Sequence, residues 1–221
     1  MLIQNGTLFC EDGTFRALDL EIQGDKIAAI GPGIKAGGQE VLDATGCYVV
    51  PGLVDIHIHG AMGADFSDGE EASIQTMARY LLSQGVTSFL GTSMALPEER
   101  LSHIFRTARP LVGRVSPGMA VLRGINMEGP FFNLDKRGAQ NPEYIIPPDI
   151  KMFRRLNADS GDSIRTVAVA PEAPGGLEFV EAASKMCSVS LAHSSAGYQT
   201  ARQAFERGAN HVTHLFNGMS P

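Results

Sequence analysis

The sequence has few cysteines, no excess of basic residues and no long hydrophobic run. Its three cysteines, Cys10, Cys47 and Cys187, are widely spaced and form no CxxC pair, which favours reduced thiols over a disulfide framework or a structural zinc cluster. The formal charge of −6 argues against general binding to nucleic acid or anionic membranes, because such binding needs a dominant basic surface. No stretch approaches the roughly 20 apolar residues that span a bilayer, and the N-terminus lacks the pattern of a secretory signal. We therefore expect a cytoplasmic protein that binds neither nucleic acid nor membrane.

The first 50 residues differ in pattern from the rest of the chain. Short β-prone runs alternate there with the pairs Asn5-Gly6, Asp12-Gly13 and Gly24-Asp25, which are turn signals that favour hairpins. We predict a small antiparallel β-segment over residues 1–50, as one part of a β-sandwich. Residues 51–221 then form a second domain, and a chain of 221 residues with 43% hydrophobic residues can bury a substantial core.

From residue 51 onward, strand-like and helix-like patterns alternate. The first predicted helix follows a capping box of Ser67 and Glu70 and ends at Gly85; further helices begin at Pro97 and fill 176–186 and 197–207. Such alternation predicts a parallel sheet covered by helices, and both a closed (β/α)8 barrel and an open doubly wound sheet fit it. No GxGxxG follows the first strand, which weakens the dinucleotide-binding version. The predicted strands cover 53–58, 86–92, 120–127, 164–170, 189–192 and 211–214. They make about six β/α units, which is two fewer than a closed barrel has.

The carboxyl ends of these predicted strands carry residues that can bind metal. Residues i and i+2 of a strand point to the same face, so His57 and His59 in "DIHIHG" can converge on one ion. Glu128 ends the strand in "INMEGP", and His193 and His214 end the strands in "SLAHSS" and "HVTHLFN". Each residue alone has an ordinary structural explanation, but their joint placement at the strand ends that form sites in α/β proteins does not.

The remaining candidates are assigned to other roles. His103 lies in a helix rich in arginine and glutamate and is assigned to the surface, and His211 begins a strand and is treated as structural. Asp55 shares a strand face with the histidine pair and is too close to it to be the general base. Imidazole and carboxylate ligands suit zinc, or iron and similar divalent ions, and they leave open positions for water. The set therefore predicts metal-assisted hydrolysis.

The assembled motifs resemble the amidohydrolase superfamily, and within it the family of N-acetylglucosamine-6-phosphate deacetylases. The matching stretches are "VVPGLVDIHIHG", "GVTSFLGTSM", "GINMEGPFFN", "KRGAQNPEYI", "LAHSSA" and "NHVTHLFNGMSP", in the order of the family. The resemblance implies a metal-dependent (β/α)8 barrel that removes acetate from N-acetylglucosamine 6-phosphate. It also implies that Glu128, His193 and His214 bind the main metal, zinc or else iron.

The resemblance also implies roles outside this ligand set. His57 and His59 would hold a second ion bridged by Glu128, whereas family members that lack both histidines use one metal. Ala139 of "RGAQ" and Asn217-Gly218 of "HLFNGM" would contact the sugar phosphate. Gln140 stands where some members carry a histidine.

Family members continue past "NGMSP" through two further strands. Those strands supply an arginine and a histidine for the substrate and the aspartate that acts as general base, and C-terminal strands complete the β-sandwich. The resemblance therefore implies that the 221 residues alone are inactive and expose unpaired strand edges, and we expect the full-length protein to be a homodimer. Two alternatives stay open: another amidohydrolase, acting on N-acetylgalactosamine 6-phosphate or a cyclic amide, and a non-catalytic metal-binding module.

Overall fold

The first part of the chain is a small mixed β-sheet. The computed structural model describes residues 1–220, which divide into two compact units, Met1–Gly52 and a second unit that begins at Leu53. The strands of the first unit are β1 (Leu2–Phe9), β2 (Phe15–Gln23), β3 (Lys26–Gly31), β4 (Val41–Asp43) and β5 (Tyr48–Val49). Their order is β3-β2-β1-β4, and β5 also pairs with β1.

The first sheet corrects two predictions. β1 and β3 run antiparallel to β2, but β4 and β5 run parallel to β1, so the prediction of a wholly antiparallel segment is wrong. Asp12-Gly13 and Gly24-Asp25 do lie between paired strands, whereas Asn5-Gly6 lies inside β1. Asn5 has a φ of +62° where the register of β1 shifts. The turn-like backbone thus bends the strand as a bulge instead of ending it.

The second unit alternates strands and helices as its sequence predicts. As far as residue 220, four 3-10 helices lie in its connections: Phe66–Asp68, Arg109–Leu111, Leu134–Lys136 and Pro142–Tyr144. The other elements, in chain order, are β6 (Leu53–Ile58), β7 (Gly60–Ala61), β8 (Ala64–Asp65), α1 (Glu71–Ser83), β9 (Val86–Ser93), α2 (Glu98–Ala108), β10 (Val121–Met127), α3 (Ile150–Asp159), β11 (Ile164–Val169), α4 (Gly176–Ala183), β12 (Ser188–Leu191), α5 (Tyr198–Glu206) and β13 (His211–Val212).

The strand order decides between the two predicted architectures. β6, β9, β10, β11, β12 and β13 form one sheet in which each strand pairs with the next along the chain, and every pair is parallel. A doubly wound sheet reverses its strand order at a switch point, whereas a (β/α) barrel keeps it. The predicted barrel-type fold, here with six strands, is confirmed. Among residues 1–220, β6 and β13 are the two edges of this sheet.

The helix predictions hold except at α3 and at the start of α1. α3 was not predicted, although Asp149 caps it by accepting hydrogen bonds from the backbone N–H groups of Lys151 and Met152. The predicted capping box of Ser67 and Glu70 is wrong: Asp65 and Asp68 form a capping box on the preceding 3-10 helix, and Glu70 precedes α1 without a side-chain cap. Gly85 follows α1 with a φ of +80°, as predicted.

The core of the second unit lies between the sheet and its helices. Buried strand residues such as Phe89 and Val167 pack with helix residues such as Phe105 and Phe153 in one hydrophobic cluster. Gly91 of β9 permits a close approach, because a Cβ atom at this position would lie 2.3 Å from the ring of Phe66. This packing holds the carboxyl ends of the strands in fixed positions. Within residues 1–220, no helix has both the length and the apolar character needed to cross a membrane.

Candidate metal centre

One buried carboxylate lies at the centre of the predicted site. Glu128 directly follows β10, and its side chain is only 2% exposed. One carboxylate oxygen, Oε2, faces His59, and the other, Oε1, faces the remaining three histidines. The distances from the carboxylate to the histidine Nε2 atoms are 2.9 Å for His59, 3.1 Å for His214, 3.4 Å for His57 and 3.5 Å for His193.

The five side chains form two overlapping groups that could each hold a metal ion. His57 and His59 form one group with Glu128, and His193 and His214 form the other with the same glutamate. Within each group the ligand atoms all lie within 4.8 Å of one another. The structure therefore brings together every residue that the sequence placed in the metal site, from the ends of β6, β10, β12 and β13.

The histidine pair belongs to the first of these strands. Because strand residues two apart share a face, His57 in β6 and His59 directly after it bring their Nε2 atoms to 3.4 Å from each other. Asp55 is used differently: its carboxylate accepts a hydrogen bond of 2.9 Å from the backbone N–H of His57. Asp55 is not a member of either ligand group.

The other two histidines are oriented by backbone carbonyls. Nδ1 of His193 lies 2.8 Å from the carbonyl oxygen of Lys136, and Nδ1 of His214 lies 2.9 Å from that of Asn217. A carbonyl only accepts, so each Nδ1 carries the proton and each Nε2 is left to bind a metal. Both histidines have positive φ, +47° and +32°, a conformation that is uncommon for residues other than glycine and is concentrated at functional sites.

Burial and hydrogen bonding have opposite effects on the charges of this cluster. Burial raises the pKa of Glu128, but hydrogen bonds from His193, His57 and His59 outweigh it and hold that pKa well below its usual range. Burial lowers the pKa of His59 and of His193, but hydrogen bonding to Glu128 outweighs it and raises both. The carboxylate is thus charged, and the raised pKa values of His59 and His193 mean that these two imidazoles hold a proton more strongly beside it.

The donor set fits a divalent metal. Neutral imidazole nitrogens and one ionised carboxylate are the ligands that zinc and iron(II) take in hydrolytic sites. A compensating positive charge would also stabilise a carboxylate that is buried among four imidazoles. The residues present therefore suit a bound cation, and their chemistry does not distinguish zinc from iron.

The predicted substrate-binding residues border His193. Gly218 lies against this histidine, since a Cβ atom at Gly218 would be 3.1 Å from its Nδ1. A Cβ atom at Gly138, next to Ala139, would be 3.5 Å from its Cε1. Ala139 and Asn217 are themselves exposed. The segments that contain them lie beside the histidine cluster.

Two further residues at the site were not assigned by sequence reasoning. Gln140 is buried; its Nε2 donates to Glu128 Oε2 at 3.3 Å, and its Oε1 accepts the N–H of Ala95 at 2.8 Å. The sequence signal for Gln140 was its position directly after Ala139 in "RGAQ", a stretch already assigned to the site. Glu172, which follows β11, was missed, because a carboxylate in a loop has no local pattern that marks it. His103 is exposed on α2, and His211 is in β13, outside both ligand groups.

A comparison with protein families now identifies the chain's family. A family model described as "Amidohydrolase family" matches residues 48–220. The chain belongs to the amidohydrolase family. The predicted superfamily is therefore confirmed, and this amidohydrolase has its histidine and glutamate cluster at the strand ends that the family's barrel uses for its sites.

Curated relatives match this amidohydrolase over most or all of its length. It is 32% identical over 224 residues to an N-acetylglucosamine-6-phosphate deacetylase of Lysinibacillus sphaericus, covering 100% of this chain and 57% of that protein. It is 32% identical over 214 residues to an N-acetylgalactosamine-6-phosphate deacetylase of Escherichia coli O157:H7, covering 96% of this chain and 55% of that protein. The chain thus spans little more than half the length of these relatives.

A solved structure has the same fold. The crystal structure of N-acetyl-D-glucosamine-6-phosphate deacetylase from Mycobacterium smegmatis superposes with a TM-score of 0.90 at 28% sequence identity. The match covers 100% of this chain and 57% of that one. Both units of the amidohydrolase therefore have counterparts in that structure.

Proposed function

We propose that the full-length protein is a metal-dependent N-acetylglucosamine-6-phosphate deacetylase, which hydrolyses the N-acetyl group and releases glucosamine 6-phosphate and acetate. The observation that carries the proposal is the convergence of four histidine Nε2 atoms on the buried carboxylate of Glu128. Relatives of that name across the whole chain support the choice of substrate.

Within this proposal, Glu128, His193 and His214 hold the main metal ion, with zinc preferred and iron as the alternative. His57, His59 and Glu128 would hold a second ion. When bound, a divalent ion polarises the carbonyl under attack and makes water a stronger nucleophile at neutral pH. The general base is an aspartate beyond residue 221, as the family resemblance implies.

Other residues position these ligands and the substrate. The carbonyls of Lys136 and Asn217 keep the two histidine rings in the tautomer that presents Nε2. Gln140 holds Glu128 by a hydrogen bond to Oε2. Ala139, Asn217 and Gly218, on the segments beside His193, bind the sugar phosphate.

We further propose that the full-length protein is a cytoplasmic homodimer. The three free cysteines suit a reducing compartment. Light scattering would measure the oligomeric state.

The test compares Glu128→Gln with His103→Ala in the full-length protein. The glutamine keeps the shape of the side chain but removes the charge shared by both ligand groups, so we expect loss of bound metal and of deacetylation. His103 is exposed on α2, and its replacement should leave both unchanged. Metal content and acetate release are the measurements. Equal damage by the two substitutions would refute the site assignment.

A second candidate is deacetylation of N-acetylgalactosamine 6-phosphate. The relative of that name is as similar to this chain, at 32% identity, as the glucosamine-type relative. The two substrates differ only in the configuration of one hydroxyl, so kcat/KM for each separates the candidates. Turnover of neither substrate, with metal still bound, would favour a cyclic amidase or a non-catalytic metal-binding module.

A further inference from the structure

A second carboxylate lies at the same end of the sheet as the metal centre. Glu172 follows β11, between the strands that end at Glu128 and at His193, and is partly buried. Its carboxylate accepts three hydrogen bonds. They come from Asn133 Nδ2 at 3.0 Å, from Ser194 Oγ at 2.7 Å and from the backbone N–H of Ser195.

One of these bonds leads to the carbonyl that orients His193. Asn133 begins the 3-10 helix Leu134–Lys136, and its Oδ1 caps this helix by accepting the N–H of Asp135 at 2.9 Å. The helix ends at Lys136, whose carbonyl accepts the Nδ1 proton of His193. The backbone N–H of Asn133 also donates to the carbonyl of His193 at 3.0 Å. Glu172 therefore holds the helix that fixes the imidazole.

The other two bonds hold the backbone directly after His193. Its φ of +47° is unfavourable for an ordinary side chain, so neighbouring contacts must maintain it. Ser194 and Ser195 both donate to Glu172, and the N–H of Ser194 donates to the carbonyl of Gly218 at 3.0 Å. Hydrogen bonds to an ionised carboxylate are about twice as strong as neutral ones. The charge of Glu172 thus stabilises the turn.

We propose that Glu172 is a positioning residue for the metal ligand His193. It joins the helix that orients the ring to the turn that places its backbone, and so aims Nε2 at Glu128. The proposal rests on the proposed metal centre. It assigns a function to a carboxylate that is outside both ligand groups.

The test is Glu172→Gln in the full-length protein, because glutamine keeps the shape and removes the charge. We expect metal affinity to fall about 10- to 100-fold, as is typical when a group that orients a metal ligand is replaced. Competition with a chelator measures the affinity, and the visible absorption spectrum of the cobalt(II)-substituted protein reports the ligand geometry, which we expect to change. Glu178→Gln is the matched control, since Glu178 is exposed on α4 and pairs with Arg207.

Two additional variants keep the test decisive. Ser194→Ala removes one of the three bonds without changing the charge of Glu172, and should weaken metal binding in the same direction even if Glu172→Gln does not fold. When Asn133→Ala is combined with Glu172→Gln, we expect little further loss of metal affinity, because both substitutions interrupt the same path of contacts to Lys136.

The outcomes separate this inference from the proposed function. Two results would overturn the role of Glu172 alone. One is an unchanged metal affinity and cobalt spectrum in both Glu172→Gln and Ser194→Ala. The other is an equal loss of metal affinity in Glu178→Gln. A wild-type protein that binds no ion would overturn the metal centre, and the role of Glu172 with it. Lower thermal stability with unchanged metal affinity would make Glu172 a purely structural residue.

Discussion

At the scale of single residues, Glu128 shows why the cluster has the composition it has. A carboxylate that is 2% exposed is costly to bury unless positive charge or hydrogen bonds compensate it. The Nε2 atoms of four imidazoles lie 2.9 to 3.5 Å from this carboxylate, but four protonated imidazoles would repel one another. Neutral histidines around a divalent ion satisfy the same carboxylate without that repulsion. The balance of charges thus favours a bound cation.

The two ligand groups predict the number of ions. In the double variant His57→Ala, His59→Ala, the group of Glu128, His193 and His214 remains intact. We therefore expect one ion per chain in this variant and two in the wild-type protein. Elemental analysis counts the ions, and anomalous diffraction locates and identifies them. The control is His211→Ala, and the same ion count in all three proteins would contradict the second site.

Cys187 predicts a pH dependence outside the metal centre. Burial raises the pKa of its thiol to about 12, and a hydrogen bond from the backbone of Val167 offsets this only in part. An unfolded chain ionises a thiol near pH 8.5, so the stability contributed by Cys187 is complete below that pH and is lost as the pH rises toward 12.

The measurement is alkylation by iodoacetamide at pH 8.5, followed by mass spectrometry. We expect Cys187 to stay unmodified in the native protein and to react in urea, because the thiolate is the nucleophile. Exposed Cys47 is the internal control. Native labelling of Cys187 at the rate of Cys47 would show that burial does not protect this thiol.

At the scale of elements, α3 shows what a local pattern can hide. Met152, Phe153 and Leu156 of α3 are buried in the main hydrophobic cluster, and their spacing is helical. The helix nevertheless has only ten residues and follows a long connection with two 3-10 helices. A helix this short depends on its packing and its cap more than on propensity.

Asp149 therefore controls the start of α3. Asp149→Ala removes the acceptor for two backbone N–H groups, so we expect a loss of about 1 kcal/mol in the free energy of unfolding. Asp149→Asn should recover most of this loss, because asparagine caps helices about as well as aspartate does. Urea denaturation of the two variants gives the values. Equal stability of the alanine and asparagine variants would argue against the cap.

At the scale of the whole molecule, the parallel order of the strands creates the site. The ligands come from the ends of β6, β10, β12 and β13, which are far apart in the sequence and meet only because one sheet brings these ends together. Ions in the two ligand groups, which share Glu128, would together link the first strand of the sheet to the last. The metal centre should therefore stabilise the second unit as well as serve chemistry.

Metal removal tests this link. A ligand that binds only the folded state adds about 4 kcal/mol when its free concentration is about 1,000 times its Kd. We expect a chelator to lower the Tm of the metal-loaded wild-type protein by several degrees and to leave that of Glu128→Gln unchanged. Differential scanning calorimetry gives both values. A chelator effect of equal size in the two proteins would mean that the stabilising ion binds elsewhere.

The sequence by itself determined the alternation of strands and helices, the apolar core and the five candidate ligands. Those features depend on local periodicity and on residue types at strand ends, which a linear pattern records. The tertiary structure decided the barrel order of the sheet, the parallel pairing of β4 and β5, and the partners of Gln140 and Glu172. Each of these depends on contacts between residues far apart in the chain, and a side chain's role there follows from packing, which no local pattern specifies.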